Sequence, residues 1–372
     1  MSKILMVISE VPPIRSGVSR VATELSQGLR SRGHQVDILS ITDIPRYEWG
    51  EIRLSSMPLH LRTLRSRLSQ YDIVNLHGPV PTFSDIFLLM GLRGIQGRHP
   101  YLIYTHHAPI DLRIPFISPF IRIYNNVQER LANHADHVVV STPSYGQTLA
   151  RYVPAYKLSV IPWGVNSNYY HAPADKDGPF TVLYLGQIRP YKGLPILLKA
   201  AVGLKDTRLW VIGDGHFAKS CQRQADELNL ENVTFWGSIS DEEMVERVKS
   251  AHAVVLPSVT RSEAFGIALL EGMAAGAVPI ASHLPGVSDI VGNEGFTFQP
   301  GNYEDLRSIL VRLRDDKLLR SYYAQLAQSK AHLYTWERSV FGYERIINSF
   351  IQQRMTQPTR ILSPDIPTTP VG

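Results

Sequence analysis

The run Ile4-Leu-Met-Val-Ile8, the loop Pro12-Pro-Ile-Arg-Ser16-Gly17, the amphipathic stretch from about Val18 to Arg32, and Val36-Asp-Ile-Leu39 decide the fold when read as one unit. Apolar residues at every position of the first run fit a parallel strand covered on both faces. The stretch after the loop carries Val21, Leu25 and Leu29 on one helical face, and Gly33 stands where a left-handed cap ends a helix. Strand, loop, helix, strand is a βα unit, and the chain repeats it. Further strands are predicted at Ile73–Leu76, Tyr101–Tyr104, His137–Val140 and Leu158–Ile161.

From Pro162 to Pro179 turn-forming residues accumulate, as in an interdomain linker. A second series follows, with strands at Thr181–Leu185, Leu209–Ile212, Val233–Phe235, Ala253–Leu256 and Val278–Ala281. The class is α/β, with two Rossmann-like doubly wound domains facing each other across a cleft and ligands at the carboxyl ends of the strands. The predicted division is a first domain over 1–165, a linker over 166–179, a second domain over 180–335 and a helix over 336–353. A disordered tail is predicted over 354–372, which carries Pro358, Pro364, Pro367 and Pro370 without periodicity.

With 372 residues, 44% of them hydrophobic, the chain can bury two cores. Charged residues at 19% exclude a disordered or low-complexity chain. A single cysteine, Cys221, excludes an internal disulfide framework and a multi-thiolate zinc site. The apolar run near the N-terminus is too short for a signal-peptide core, and no run reaches the eighteen residues of a membrane span. The expected location is the cytoplasm, either free or peripheral on the inner membrane face.

The net charge of +5 is unevenly spread. Residues 1–170 hold 17 Lys and Arg against 11 Asp and Glu, whereas the rest holds 21 against 22. An anionic partner for the first half fits this asymmetry, and chance placement of surface arginines also accounts for it. Leu59–Leu68 sets Arg62, Arg65 and Arg67 beside a leucine face. Arg113 and Phe116, in the segment up to Arg122, add apolar side chains flanked by arginines. These residues are a candidate surface for anionic lipid or a lipid-linked acceptor, and the first segment fits equally an ordinary helix covering the sheet. No recognition motif accompanies the charge, so nucleic acid is not an expected partner.

Four stretches carry candidate chemistry. In Arg261-Ser-Glu263-Ala-Phe-Gly266-Ile-Ala-Leu-Leu-Glu271-Gly-Met-Ala-Ala-Gly276, two carboxylates stand eight positions apart around a helix start. Free amides and the helix dipole there attract phosphate, and a carboxylate just inside the helix can accept from two neighbouring hydroxyls. On that stretch alone, an acidic first turn is the plainer reading. Gly186-Gln-Ile-Arg189-Pro-Tyr-Lys192-Gly193 sets two cations after a strand, as suits a departing diphosphate, or as two solvated loop cations. Ser16-Gly17 opens the first helix with a bare amide, or is a flexible turn. His106 and His107 end a strand, where a histidine can donate to a sugar hydroxyl; neighbours on extended chain point to opposite sides and do not share a metal.

The Glu-x7-Glu pattern with Phe265-Gly266-Ile267 inside it and Met-Ala-Ala-Gly after it resembles the retaining glycosyltransferases of family four, which have the GT-B fold. The resemblance runs from about residue 3 to 350. It implies that Glu263 contacts the donor sugar and Glu271 the nucleotide ribose, while Phe265, Gly266 and Ile267 offer amides to the diphosphate. It also implies Lys192 as phosphate ligand and His107 as the active-site histidine, with His106 a packing residue. The family has an arginine five positions before this lysine; here that place is Gln187, and Arg189 reaches the phosphates only if the loop rearranges. Ser16 and Gly17 stand where two glycines are common.

The implied reaction moves a hexose from a nucleoside-diphosphate sugar to a hydroxyl of a lipid-linked or saccharide acceptor, in envelope polysaccharide or glycolipid synthesis. No metal or other cofactor is expected, and retention would proceed by same-face attack with a donor phosphate oxygen taking the proton. A soluble small-molecule acceptor and a non-catalytic nucleotide-sugar binder are the alternatives. Gly213-Asp-Gly215-His-Phe-Ala218 matches a dinucleotide fingerprint, but the next strand ends Phe235-Trp-Gly237 without the acid that ribose would need. Gly213 is therefore expected at the donor or the cleft wall. Asp175-Lys-Asp177, with no strand before it, is set aside as a metal motif.

Overall fold

The computed structural model describes residues 1–14, 16–40, 46–49, 52–55, 67–90, 99–111, 117–170, 176 and 178–356, with backbone alone for 46–49, 52–55 and Met90. Arg62, Arg65, Arg113, Phe116, Asp175, Asp177 and the tail beyond 356 lie outside the described residues.

Strands are β1 (Lys3–Ile8), β2 (Gln35–Ser40), β3 (Arg46–Trp49), β4 (Ile52–Ser55), β5 (Ile73–Gly78), β6 (Tyr101–His106), β7 (His137–Val140) and β8 (Leu158–Val160) in the first half. The second half has β9 (Phe180–Leu185), β10 (Thr207–Ile212), β11 (Val233–Gly237), β12 (Ala253–Leu256), β13 (Val278–Ser282) and β14 (Phe296–Phe298). Two six-stranded sheets result, ordered β2-β1-β5-β6-β7-β8 and β11-β10-β9-β12-β13-β14. All pairs in both are parallel, while β3 and β4 form a separate antiparallel hairpin. The second order is that of the doubly wound dinucleotide folds, and in each sheet the strand order reverses at one point where a crevice opens.

Central strands β5 and β9 are buried at every position, so most of their residues are apolar, and the exceptions Asn75, His77 and Thr181 are buried with them. The first helix, Gly17–Ser31, buries Val21, Leu25 and Leu29, and Gly33 adopts φ +87° just beyond it. Two helices not predicted from sequence, Tyr303–Asp315 and Lys317–Ala331, complete the second domain. Their local signals are clear in retrospect: Asn302 and Asp316 cap them through side-chain oxygens, and Leu306, Leu310 and Leu313 form the buried face of the first.

The last helix, Trp336–Thr356, returns to the first domain. Tyr343 meets Thr105 hydroxyl to hydroxyl at 2.8 Å, Phe350 stacks on Tyr101 at 4.4 Å, and Arg32 pairs with Glu344 at 2.8 Å. The predicted end at residue 353 is three residues short. Arg354, 3.6 Å from Asp72 and lying over the Tyr101 ring, anchors one further turn, so residues 354–356 belong to the helix and not to the tail. Trp163 sits at the junction of the domains, 2% exposed, with Trp336, Tyr343 and Phe265 rings around it.

Candidate active site

Strands β9 and β12 are neighbours at the reversal of the second sheet, yet they pair only at Ala253–Val182 and Val254–Leu183. Their carboxyl ends therefore diverge. The turn Pro190–Lys192 after β9 fills this opening, with Gly193 at φ +71° beside it. A side chain at Gly193 would run into the Pro257 carbonyl, so only glycine lets this turn lie on the end of β12. The Val259 amide donates to the Tyr191 carbonyl at 2.8 Å and ties the two loops together. As a result Lys192 Nζ forms an ion pair with Glu263 Oε2, to which Ser258 Oγ also donates at 3.4 Å. Burial alone would lower the Lys192 pKa, but Glu263, with the Tyr191 and Tyr184 phenols, reverses this and raises it. The ammonium is held charged.

The helix Ile267–Ala274 begins next to this pair. Gly266, its cap, has φ +80° and would press a Cβ to within 2.8 Å of Leu256. Phe265 is 5% exposed and packs on Trp163 and Tyr334, which fixes the approach to the helix start. The first-domain helix begins at the same place. A Cβ on Gly17 would lie 3.6 Å from Ile267 Cδ1, so the two helix starts meet. Ser16 Oγ accepts from the Ser19 amide at 3.1 Å and the Gly266 carbonyl from the Leu269 amide at 2.9 Å, which leaves the amides of Gly17, Val18, Ile267 and Ala268 without intrahelical acceptors. Two partial positive ends thus converge beside Lys192.

Glu271 lies one turn inside the second helix and is 4% exposed. Its Oε1 pairs with Arg20 Nη1 of the first-domain helix, and the buried Tyr169 phenol lies beside both groups. Burial pushes the Glu271 carboxyl pKa upward and Arg20 opposes that shift. Sequence reasoning missed Arg20 and Tyr169. Arg20 stands 251 positions from its partner, and no local pattern marks it.

At the position of the departure, Arg189 Nε donates to Gln187 Oε1 at 2.9 Å, so the two side chains form one unit before Lys192. Gly186 (φ +141°) has open space where a Cβ would be. Gly213 lies against the Gly186 carbonyl and Gly215 against that of Ile188, which packs both onto the loop after β9.

At the end of β6, His106 is 2% exposed, within 3.3 Å of the Tyr104 hydroxyl and edge-on to that ring, as expected of a packing residue. His107 Nε2 lies 3.0 Å from Nδ1 of His77, a residue the sequence reading passed over, and its ring is 5.6 Å from Trp163. Burial, partly offset by Glu10, holds the His107 pKa down at about 4, while burial and then His107 lower that of His77. Both rings are neutral near pH 7. Asp111 reaches across the cleft, accepting from the Arg261 amide at 2.9 Å. Arg67 is exposed on the first domain, away from these contacts.

Comparison with known proteins identifies the family. A model described as Glycosyltransferase Family 4 matches residues 15–169, and one described as Glycosyl transferases group 1 matches residues 169–330. The O-antigen chain mannosyltransferase C of Escherichia coli is 32% identical over 291 residues, 70% of this chain and 74% of that protein. The chain belongs to glycosyltransferase family four. A second relative of this family-four glycosyltransferase, the D-rhamnosyltransferase WbpZ of Pseudomonas aeruginosa, is 32% identical over 234 residues, 60% of this chain and 58% of that one.

Among solved structures, the sucrose-phosphate synthase of Thermosynechococcus elongatus superposes with a TM-score of 0.79 at 19% identity, covering 95% of this chain and all of that one. Anabaena Alr3699/HepE in complex with UDP and glucose gives 0.73 at 20% identity, covering 94% of this chain and 100% of that one. The fold of the family-four glycosyltransferase is therefore GT-B. Among its described residues no helix is long and apolar enough to cross a membrane.

Proposed function

We propose that this glycosyltransferase moves a hexose from a nucleoside-diphosphate sugar to a hydroxyl of a lipid-linked or saccharide acceptor, with retention at the anomeric carbon and without a metal. One observation carries the reading: Lys192 is paired with Glu263 at the spot where the Gly17 and Gly266 helix starts meet. A diphosphate there would meet a fixed ammonium and two sets of outward amides, which stabilise charge as the sugar–oxygen bond breaks. Glu263 would take the hexose hydroxyls and Glu271 the ribose hydroxyls, on either side. Arg189, oriented by Gln187, adds a second cation. His107, neutral and backed by His77, is suited to accepting or donating a hydrogen bond to the transferred sugar. Same-face attack with a donor phosphate oxygen taking the acceptor proton needs no protein nucleophile, consistent with two carboxylates already committed to binding.

The mannosyl- and rhamnosyltransferase relatives support a place in envelope polysaccharide or glycolipid synthesis, with a lipid-linked or saccharide acceptor favoured over a soluble one. A peripheral membrane seat is supported by helix Ser118–Leu131 of the first domain, which leaves Phe120 (71%), Ile123 (62%) and Val127 (47%) exposed at helical spacing near Arg122. The test is a thermal-shift panel of UDP, GDP and their hexose sugars, followed by donor hydrolysis. Stabilisation by one nucleotide series, with turnover abolished in Glu263→Ala, is expected. Binding without any turnover in wild-type protein would leave only the nucleotide-sugar binder.

A further inference from the structure

Glu271 is the most demanding group in the site. Its carboxylate is 4% exposed, and an ionised carboxylate in such a place is costly unless paired and hydrogen-bonded. The groups facing it come from three other elements: Arg20 on the first-domain helix with Glu24 beside it, Tyr169 after the linker begins, and Asp241 at the start of helix Asp241–Ser250. Arg20 is the one cation among these. Asp241 adds negative charge, so without Arg20 both burial and its neighbour push the carboxyl toward its protonated form.

We propose that Arg20 is a positioning residue for the donor: reaching from the opposite domain, it keeps Glu271 charged and turned so that it accepts from the ribose hydroxyls of a nucleoside diphosphate. The inference rests on the donor reading above and deepens it. Its physical content is that half of the nucleotide site is built by the acceptor domain. A protonated carboxyl has given up acceptor capacity and must donate, so it grips a pair of vicinal hydroxyls less well. The buried Tyr169 phenol lies beside both groups and walls off the pair. Because the pair spans the cleft, ribose recognition is also coupled to the approach of the two domains.

The experiment measures binding of UDP and GDP, and of their 2′,3′-dideoxy analogues, by calorimetry from pH 6 to 8.5 in wild type, Arg20→Gln, Arg20→Lys, Glu271→Gln and the Arg20→Gln/Glu271→Gln double variant. Loss of one charge-assisted contact predicts about tenfold weaker binding of the preferred nucleotide in Arg20→Gln at pH 7. Affinity in that variant should rise with pH, whereas wild type stays flat and Arg20→Lys keeps most of its affinity. The dideoxy penalty should shrink in Arg20→Gln. If Arg20 acts through Glu271, the double variant binds within about twofold of Glu271→Gln, and this comparison decides even where Arg20→Gln does not fold. An Arg20→Gln protein with wild-type affinity and wild-type ribose discrimination, or a double variant much weaker than Glu271→Gln, overturns the inference alone. Wild-type protein that binds neither nucleotide overturns the donor reading and this inference with it.

Discussion

Asp111 and Ser262 clasp each other across the cleft: the Asp111 amide donates to Ser262 Oγ at 2.9 Å, and Ser262 Oγ lies 3.4 Å from the Asp111 carbonyl. With the Asp111 carboxylate on the Arg261 amide, a first-domain residue holds the loop that ends in Glu263. Tyr145 adds a bond to the Arg261 carbonyl at 2.9 Å, and Ser144 grips Asp289 through its amide and hydroxyl at 2.9 and 2.8 Å.

Removing the clasp should therefore harm the chemical step more than nucleotide binding. The double variant Asp111→Ala/Ser262→Ala, which takes away the carboxylate and the hydroxyl that hold this loop, is expected to lower kcat by about ten- to a hundredfold through misplacement of Glu263. Dissociation constants for UDP or GDP should stay within about threefold of wild type, because the Lys192 turn and Gly266 helix start are untouched. Steady-state kinetics alongside calorimetry checks the split.

Gly193→Ala would place a methyl group against the Pro257 carbonyl and force alanine to φ +71°. The combined clash and strain should cost about 2–4 kcal/mol of stability. Urea unfolding measures it. Any folded fraction should also bind nucleotide poorly, since Lys192 is displaced with the turn.

Acid should unfold the protein in a window set by buried histidines. Burial holds His106 at about 3, and holds His107 and His252 at about 4, against an ordinary value near 6.5. These folded values are lower, so between pH 6.5 and about 4 the unfolded chain binds more protons. Stability is full above pH 6.5 and falls as pH drops through the window. Denaturant midpoints measured from pH 8 to 4 should show this slope, and His106→Gln should reduce it.

Phe120→Asp with Ile123→Asp tests the membrane-facing stripe. Both side chains are exposed, so stability should change by no more than about 0.5 kcal/mol per site. Sedimentation with anionic liposomes at low salt should be lost, and nucleotide binding kept. Unchanged sedimentation would remove this helix from the membrane reading.

The candidate site was legible wherever its parts were local. Glu263 in its loop, Gly266 at a helix start and Lys192 before Gly193 are each marked by residue type and spacing, because turns and caps are short-range devices. Helices Tyr303–Asp315 and Lys317–Ala331 were passed over although their caps are equally local. His77 and Asp111 had no such mark: one is an ordinary strand residue, the other an ordinary loop acid.

By itself the sequence determined two βα series, their parallel sheets and the carboxyl-end cleft, since the periodicity of burial is written into each strand and helix. It also determined which residues stand at the ends of those strands. Only the tertiary structure decided who meets whom there: Arg20 with Glu271, Asp111 with the Arg261–Ser262 loop, His77 with His107, and Gln187 with Arg189. The reason is that a polar side chain carries no periodic signature of its partner. Charge pairing across a cleft is fixed by how two independently folded sheets are brought together, and that arrangement depends on the Trp163 junction and the returning last helix rather than on any stretch read alone.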